Sequence, residues 1–313
     1  MDYTAWTNQT VVKEFILLGF EDIHEFEILL FLVFLVIYIV TMAGNLLILA
    51  LVATNQHLHT PMYVFLGNLS CLETCYISTI LPRMLDSFLT GNQAILVNLC
   101  FIQLYFFGGL ATAECYLLAV MSYDRYLAIC KPLHYAMLMD IRSCLQLSSG
   151  SWVIGFLVNS LTTYFMTQLT FCGPNVIDHF FCDFMPLLQL SCSNTLKTQL
   201  LIFILSALFG LLPFLLTLMS YGHIIKTILN LPSAGMRKKA FSTCSSHLIV
   251  VTLFYGTIVF VYVLPKNSTL RDLNKALSIF YTVLIPLVNP FVYSLRNKDI
   301  KQALRKAVRP FVD

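Results

Sequence analysis

The sequence predicts an all-α membrane protein, a bundle of seven transmembrane helices followed by a short amphipathic C-terminal helix. Of the 313 residues, 58% are hydrophobic and only 11% are charged. Soluble domains have about 25% charged residues, and this chain folded in water would expose large apolar patches. Seven apolar segments are each long enough to cross a hydrocarbon core of about 30 Å. A basic segment with helical spacing follows the seventh.

The seven segments are expected to form one domain that covers residues 1–313. Their predicted bounds are 27–53, 61–88, 97–123, 143–167, 197–225, 241–264 and 274–294. Cytoplasmic loops carry an excess of Lys and Arg, and 13 of the 19 such residues fall inside if the N-terminus is outside. We therefore expect residues 1–26 to be extracellular, with a glycosylation acceptor at Asn8, and residues 295–313 to be cytoplasmic.

Four cysteines are expected on the outer side of the membrane. Cys172, Cys182 and Cys192 lie in the longest loop, 168–196, and Cys100 begins the third span. In an oxidising compartment these residues predict two disulfides, and four cysteines allow three pairings.

The C-terminal segment predicts a short helix on the inner leaflet of the membrane. Its apolar residues recur at helical spacing between Lys and Arg residues, a pattern typical of helices that bind membrane lipid. These apolar residues are Ile300, Ala303, Leu304, Ala307 and Val308. A disordered basic tail is the alternative.

Charged residues inside or at the end of an apolar span mark candidate functional positions. Glu73 and Glu114 lie within the second and third spans, where carboxylates are costly and usually face the interior of the bundle. Asp124 and Arg125 lie side by side at the inner end of the third span, followed by Tyr126. Such an Arg can pair with its neighbouring carboxylate in one state and with a partner's backbone carbonyls in another.

Three stripes of residues at helical spacing occupy the outer halves of the third, fifth and sixth spans. They are Phe107, Gly108, Ala111, Thr112, Ile202, Ser206, Phe209, Tyr255, Ile258, Val259 and Tyr262. Plain helix packing is the alternative to a pocket. A pocket with these walls would be apolar and aromatic with a few hydroxyls, and no acid lies at the level of Phe107. It would favour a small, neutral, mostly hydrophobic ligand over an amine.

Several motifs carry a resemblance to a known family. Seven spans, Cys100, Asp124-Arg125-Tyr126 and Asn289-Pro290-Phe291-Val292-Tyr293 resemble a rhodopsin-like G-protein-coupled receptor. Within that class the chain is similar to odorant receptors of the land-vertebrate type. The motifs that indicate this lie, in the order of the family, at 58–63, 121–130, 220–221, 239–247 and 286–298. Three residues depart from the usual pattern, namely Ser122, Val64 and Glu73.

The resemblance implies roles for individual residues. Cys100 would pair with Cys182, and Cys172 with Cys192. Arg125 would pair with Asp124 at rest and meet a G protein in the active state, with help from Tyr221 and Tyr293. The three stripes would line the ligand pocket. Asn45, Asn289 and the two buried acids would hold a sodium ion or share a proton, and a protonated hydrogen-bonded pair without an ion is the alternative.

The resemblance also implies a function. A small volatile ligand would activate a stimulatory, olfactory-type G protein and raise cyclic AMP in the cilia of olfactory sensory neurons, at the plasma membrane. A trafficking accessory protein is a further expected partner, whereas nucleic acid is not. No cofactor is expected apart from the sodium ion. The alternative is a receptor of the same architecture that senses a metabolite outside the nose.

Other functions are disfavoured by the sequence. A retinal protein would need a Lys inside the seventh span, but Lys275 lies at its outer edge. A transporter would be expected to show repeat symmetry, and an intramembrane enzyme would need a cluster such as His-Glu-x-x-His; the chain is not expected to be an enzyme. A metal site at His179 and Cys182 is disfavoured because a disulfide sulfur is not a thiolate ligand.

Overall fold

The computed structural model describes residues 12–19, 26–263, 271–296 and 298–308. The predicted all-α fold class is confirmed. The helices are, in chain order, α1 (Glu27–Thr54), α2 (Pro61–Thr90), α3 (Val97–Cys130), α4 (Pro132–Leu138), α5 (Ile141–Thr167), α6 (Phe184–Leu190), α7 (Leu196–Ser206), α8 (Leu212–Leu229), α9 (Ala234–Val263), α10 (Arg271–Ile279), α11 (Ile285–Arg296) and α12 (Lys298–Val308). The expected glycosylation acceptor, Asn8, lies outside the described residues.

Five of these helical segments are long and apolar enough to cross a membrane, namely α1, α2, α3, Leu196–Leu229 and Lys275–Tyr293. A sixth is α9 if its two parts, which are bent by 49°, count as one span. The remaining predicted span, α5, has 27 residues, a length that suffices to cross the hydrocarbon core. Seven helical segments thus correspond to the seven apolar stretches of the sequence.

The helix α5 has a polar face that is turned towards the interior of the bundle. Its buried positions include Ser148, Ser151, Asn159 and Thr162, at spacings of a single helix face. Leu157, on another face, is exposed. This arrangement suits a membrane helix that packs against the bundle with its polar face and contacts lipid with its apolar face.

Two of the spans contain a π-helical segment. Ala207–Leu211 joins α7 to α8, and Phe280–Leu284 joins α10 to α11. A π-helical turn adds a residue to the helical repeat and often occurs at functional sites. It also rotates the faces of the helix on either side, which a constant 3.6-residue period cannot predict.

A small sheet, absent from the sequence prediction, lies at the outer end of the bundle. Its strands are β1 (Glu14–Leu17), β2 (Ala94–Leu96) and β3 (Val176–Ile177), in the order β2-β1-β3. The central strand β1 is antiparallel to β2 and parallel to β3. The sheet joins an N-terminal segment to the loops that precede α3 and follow α5.

At the other end, the predicted amphipathic helix is present as α12, so residues 298–308 are not a disordered tail. Ile300 and Ala303 are buried against the bundle. The Tyr63 hydroxyl of α2 donates a hydrogen bond to Asp299 Oδ2 at 2.9 Å. The amphipathic pattern therefore anchors α12 to the bundle.

Candidate functional site

The ion pair at the inner end of α3 is buried. Asp124 is 1% exposed and Arg125 is 9% exposed. Arg125 Nε donates to Asp124 Oδ2 at 2.9 Å, and Arg125 Nη2 donates to the same oxygen. An Arg with its charge neutralised by the adjacent carboxylate is the resting arrangement that the resemblance implies.

A third residue, Tyr135, completes this pair and was missed by the sequence analysis. It lies on α4, which begins at Pro132, and its hydroxyl donates to Asp124 Oδ1 at 2.8 Å. Burial, and next the negative charge of Asp124, raise the pKa of the Tyr135 phenol, so it remains a protonated donor at neutral pH. Both carboxylate oxygens of Asp124 are thereby occupied. A tyrosine on a seven-residue helix carries no periodic pattern that could have revealed this role.

The two tyrosines expected to help Arg125 in the active state, Tyr221 and Tyr293, interact electrostatically with it in this structure, but neither hydroxyl is hydrogen-bonded to it among the described residues. The Tyr221 hydroxyl is 2.7 Å from His247 Nδ1, and both side chains are buried. The Tyr293 hydroxyl is buried and has no hydrogen-bond partner in the part of the chain that the structure describes. Tyr126 is half-buried, with its ring 5.7 Å from that of His223. An ionisable residue within a span is a functional signal in its own right, so His247 could have been singled out from the sequence.

The four residues of the predicted ion or proton site, Asn45, Glu73, Glu114 and Asn289, lie together halfway along the bundle. Asn289 Nδ2 donates to Glu73 Oε1. Asn45 Nδ2 donates to the backbone carbonyls of Thr41 at 3.2 Å and Pro286 at 3.4 Å. Among the described residues, Asn45 Oδ1, Glu73 Oε2 and Glu114 Oε1 are buried without a hydrogen-bond partner. Oxygen donors of this kind suit a hard cation or a shared proton.

The outer stripes are only partly brought together. Phe107, Ala111, Tyr255 and Ile258 belong to the main core of the bundle. Ile202 instead packs against a second cluster beneath the outer sheet. The fifth-span residues Ser206 and Phe209 are exposed and half-buried, respectively, and the side chains of Val259 and Tyr262 lie outside the described residues.

Gly108 differs from its predicted position at a pocket wall. A Cβ at Gly108 would meet Asn159 of α5 at 2.5 Å. Asn159 Nδ2 also donates to the α3 backbone, to Tyr105 O at 2.5 Å and Leu104 O at 3.3 Å. At Gly108 the absence of a side chain therefore serves close packing between α3 and α5.

Two of the hydroxyls expected to meet a ligand, those of Thr112 and Tyr255, have partners within the protein. Thr112 Oγ1 donates to Gly108 O at 2.9 Å, and Tyr255 donates to Cys115 O at 3.0 Å. Both acceptors are backbone carbonyls within the bundle. A ligand near them would find surroundings that are mainly apolar and aromatic.

Phe107 lies in an aromatic cluster that the sequence did not predict. Its ring centroid is 4.7 Å from that of Phe181, 5.1 Å from Tyr76 and 6.2 Å from Tyr281. The outer loop also brings a buried acid close, because Asp183 follows Phe181 by two residues and interacts electrostatically with Tyr76. Asp183 Oδ1 accepts the Phe184 amide at 2.8 Å and caps α6.

Two disulfides fix the outer loop in the pairing that the resemblance implies. Cys100 pairs with Cys182, and Cys172 pairs with Cys192. The buried Gln103 supports the first pair, since its Oε1 accepts the Cys182 amide at 2.9 Å. The Cys182 sulfur is thus not available as a metal ligand beside His179.

The structure is a bundle of apolar helices around a buried polar centre. A disulfide-linked loop covers its outer end, and an Asp-Arg pair lies at its inner end. This is the architecture of rhodopsin-like G-protein-coupled receptors. This chain is a multi-pass membrane protein of that class. The family model described as "Olfactory receptor" matches residues 34–310, and the chain belongs to the olfactory receptor family.

Relatives match along nearly the whole chain. Olfactory receptor 6B1 of Homo sapiens is 51% identical over 299 residues, which are 96% of this chain and 96% of that protein. Olfactory receptor 11L1 of Homo sapiens is 49% identical over 302 residues, 96% of this chain and 94% of that protein. Olfactory receptor 6E1 of Mus musculus is 48% identical over 306 residues, 97% of each chain. As a member of this family, the chain is a receptor that binds a small molecule and couples to a G protein. It is not an enzyme.

Proposed function

We propose that the chain is an odorant receptor for small, neutral, mostly hydrophobic volatile compounds. The ligand binds in the outer half of the bundle, and the receptor activates a stimulatory, olfactory-type G protein that raises cyclic AMP. The receptor works in the cilia of olfactory sensory neurons, with its N-terminus outside. The observation that carries this proposal is the buried Asp124–Arg125 pair, closed by Tyr135, at the inner end of α3.

The proposed mechanism links the aromatic cluster to this pair. A ligand that lodges beside Phe107 competes with the rings of Tyr76 and Phe181 that now pack against it. Because α3 carries both Phe107 and Arg125, a shift of α3 against its neighbours moves both residues. Release of Arg125 from Asp124 would free its guanidinium for the backbone carbonyls of the G protein.

The chemistry of the proposed pocket supports a neutral ligand. Phe107, Tyr255 and Ile258 provide apolar and aromatic surface, and the Tyr255 hydroxyl already donates to a backbone carbonyl. Asp183 serves as a helix cap and is not placed as a bare carboxylate for an ammonium ion. The binding free energy per non-hydrogen atom reaches about 1.5 kcal/mol only in the best very small ligands and falls towards about 0.3 kcal/mol in larger ones, so the few atoms of an odorant favour modest affinity.

The polar centre is proposed to hold a sodium ion or a shared proton. The unpartnered oxygens of Asn45, Glu73 and Glu114 support this proposal, because a buried oxygen without a hydrogen-bond partner is costly. A sodium ion there would be held by these oxygens and would neutralise one carboxylate. A proton shared between the two acids would also neutralise one carboxylate, and it would need fewer oxygen partners than a sodium ion.

The test is a cyclic AMP reporter screen of chemically diverse volatiles, with surface expression measured in parallel. Neutral hydrophobic compounds should activate the wild type. Arg125→Ala should reach the surface at a similar level and lose the response, since no guanidinium remains to meet the G protein. A well-expressed Arg125→Ala variant with full signalling would contradict the proposed switch. A strong response to protonated amines alone would contradict the proposed ligand class.

A further inference from the structure

A cavity of about 300 Å³ lies at the outer end of the bundle, away from the pocket proposed for the odorant. It is bounded by the strand β1, the first turn of α1 and the last turns of α2. Its walls include Leu18, Glu27, Arg83, Ser87, Phe88 and Phe180. None of the nine odorant-pocket residues whose side chains the structure describes lines it. Its volume is at the lower end of the range for small-molecule sites, about 300–1,000 Å³.

The walls of this cavity are amphiphilic. Leu17, Leu18, Met84, Phe88 and Phe180 supply apolar surface from three separate segments of the chain. The polar side carries Glu27, Arg83, Ser87 and Gln93. A molecule that fits both sides therefore needs a hydrocarbon part and one polar group.

Arg83 determines which polar group this is. Its Nη1 donates to Asp86 Oδ2 at 2.7 Å, and its Nη2 donates to the carbonyls of Asn92 at 2.9 Å and Ala94 at 2.6 Å. These three bonds hold the guanidinium in place, while its Nε–H meets no acceptor among the described residues. The guanidinium therefore offers a fixed donor to a ligand oxygen. Glu27 and Asp86 disfavour an added negative charge, so the matching group is a neutral carbonyl.

The cavity is also connected to the proposed odorant pocket. Phe180 lines the cavity, and its ring centroid is 5.0 Å from that of Phe181. The Phe181 ring is in turn 4.7 Å from that of Phe107. An occupant that displaces Phe180 thus acts on the wall of the other site through two ring contacts.

We propose that this cavity is a second small-molecule site, which binds neutral amphiphiles with a carbonyl group, such as medium-chain ketones. Phe88 and Phe180 hold the hydrocarbon part, and Arg83 donates to the carbonyl oxygen. The proposal concerns binding at a place separate from the odorant pocket. Its test therefore does not depend on which ligand activates the receptor or on which G protein responds.

The experiment is photolabelling of the purified full-length receptor in lipid nanodiscs with a diazirine analogue of methyl octyl ketone. Mass spectrometry of the peptides locates the label. We expect labelled residues within 83–88 or 17–18, and excess unlabelled methyl octyl ketone should suppress this labelling. Absence of label from both segments, or labelling that excess ketone does not reduce, would overturn the proposal.

A pair of variants sharpens the result. Ser87→Trp places an indole in the cavity and should lower the labelling of these segments by about tenfold, the factor that corresponds to 1.4 kcal/mol of lost binding. The matched control is Leu89→Trp, at an exposed position two residues further along α2, and it should label like the wild type. Unchanged labelling in a folded Ser87→Trp receptor would also count against the site. If Ser87→Trp does not fold, the competition on the wild type decides alone.

Discussion

At the scale of single residues, the inner end of α3 depends on three side chains. Arg125 neutralises Asp124 on one carboxylate oxygen, and Tyr135 occupies the other. Hydrogen bonds to a charged group stabilise by about 1.5–3 kcal/mol each. The resting state is therefore held by α4 as well as by α3, which makes the short inner helix part of the proposed switch.

Tyr135→Phe tests this contribution. The ring remains, but Asp124 Oδ1 loses its donor, so Arg125 should leave Asp124 more easily. We expect basal cyclic AMP signalling to rise by up to about tenfold, the factor given by 1.4 kcal/mol. The measurement is ligand-free reporter activity normalised to surface expression. Tyr123→Phe, at an exposed tyrosine of α3, is the matched control and should signal like the wild type. Equal basal activity in both variants would show that the Tyr135 hydrogen bond does not stabilise the resting state.

Glu114→Gln tests the proposed sodium ion. The amide keeps the shape of the side chain but removes a charged ligand, so the sodium dependence of agonist potency should disappear. Potency is measured with sodium chloride and with choline chloride at equal ionic strength. Asp86→Asn, at an exposed acid of α2, should keep the wild-type sodium response. If sodium shifts potency equally in wild type and Glu114→Gln, the ion is not bound there.

At the scale of elements, the pairing of α3 with α5 rests on glycine. A Cβ at Gly155 would lie 2.8 Å from Ala113 N and 2.9 Å from Ala113 Cβ, and it would meet the Gly109 carbonyl still more closely. Two of these atoms belong to the backbone of α3 and the third is a Cβ fixed to it, so none of them can rotate away as the end of a flexible side chain can. The small residues thus let the two helices approach closely, as is common in membranes.

Gly155→Ala should therefore destabilise the receptor, by about 1–3 kcal/mol if the helices separate as overpacked cores do. The measurement is the thermal unfolding of the detergent-solubilised receptor. Gly150→Ala is the matched control on the same helix, because a Cβ there meets no atom within 4 Å. In the control the better helix propensity of Ala should leave stability unchanged or slightly raised. Equal melting temperatures for the two variants would contradict the close contact.

At the scale of the whole molecule, the outer end is assembled from segments far apart in the chain. Lys275 of α10 shows this most directly, since its Nζ donates to Asp178 Oδ1 at 2.6 Å and to Gly19 O at 2.8 Å. One ammonium group thereby joins the seventh span, the disulfide-linked loop and the end of the N-terminal strand. The side chains of Lys275 and Asp178 are 15% and 23% exposed, so the pair is shielded from water.

Lys275→Gln should loosen this assembly. It removes an ion pair and a charge-assisted hydrogen bond, which together contribute about 1–2 kcal/mol at such a site. We expect a fall of a few degrees in the unfolding temperature of the solubilised receptor, with the disulfides intact. Lys197→Gln removes an exposed Lys at the outer end of α7 and serves as the control. If both variants have the same unfolding temperature, the assembly of the outer segments does not depend on Lys275.

The sequence by itself determined the class of the protein, because local properties carry that information. The length of an apolar segment identifies a membrane span. An Asp-Arg pair or a single acid within such a span can then be read directly from the sequence. The positions of Arg125, Glu73 and Asn289 follow from such signals together with the family motifs. The helix α12 was likewise predictable, since its amphipathic period is contained within one segment.

Tertiary structure alone decided which residues meet. Tyr135 reaches Asp124, and Phe181 reaches Phe107, across loops that have no periodic pattern. The direction in which Gly108 faces follows from the close packing of α3 and α5, which a stripe on one helix cannot reveal. The outer sheet forms because three short strands, each too brief to be stable alone, are brought together by the helices and the disulfides that hold them.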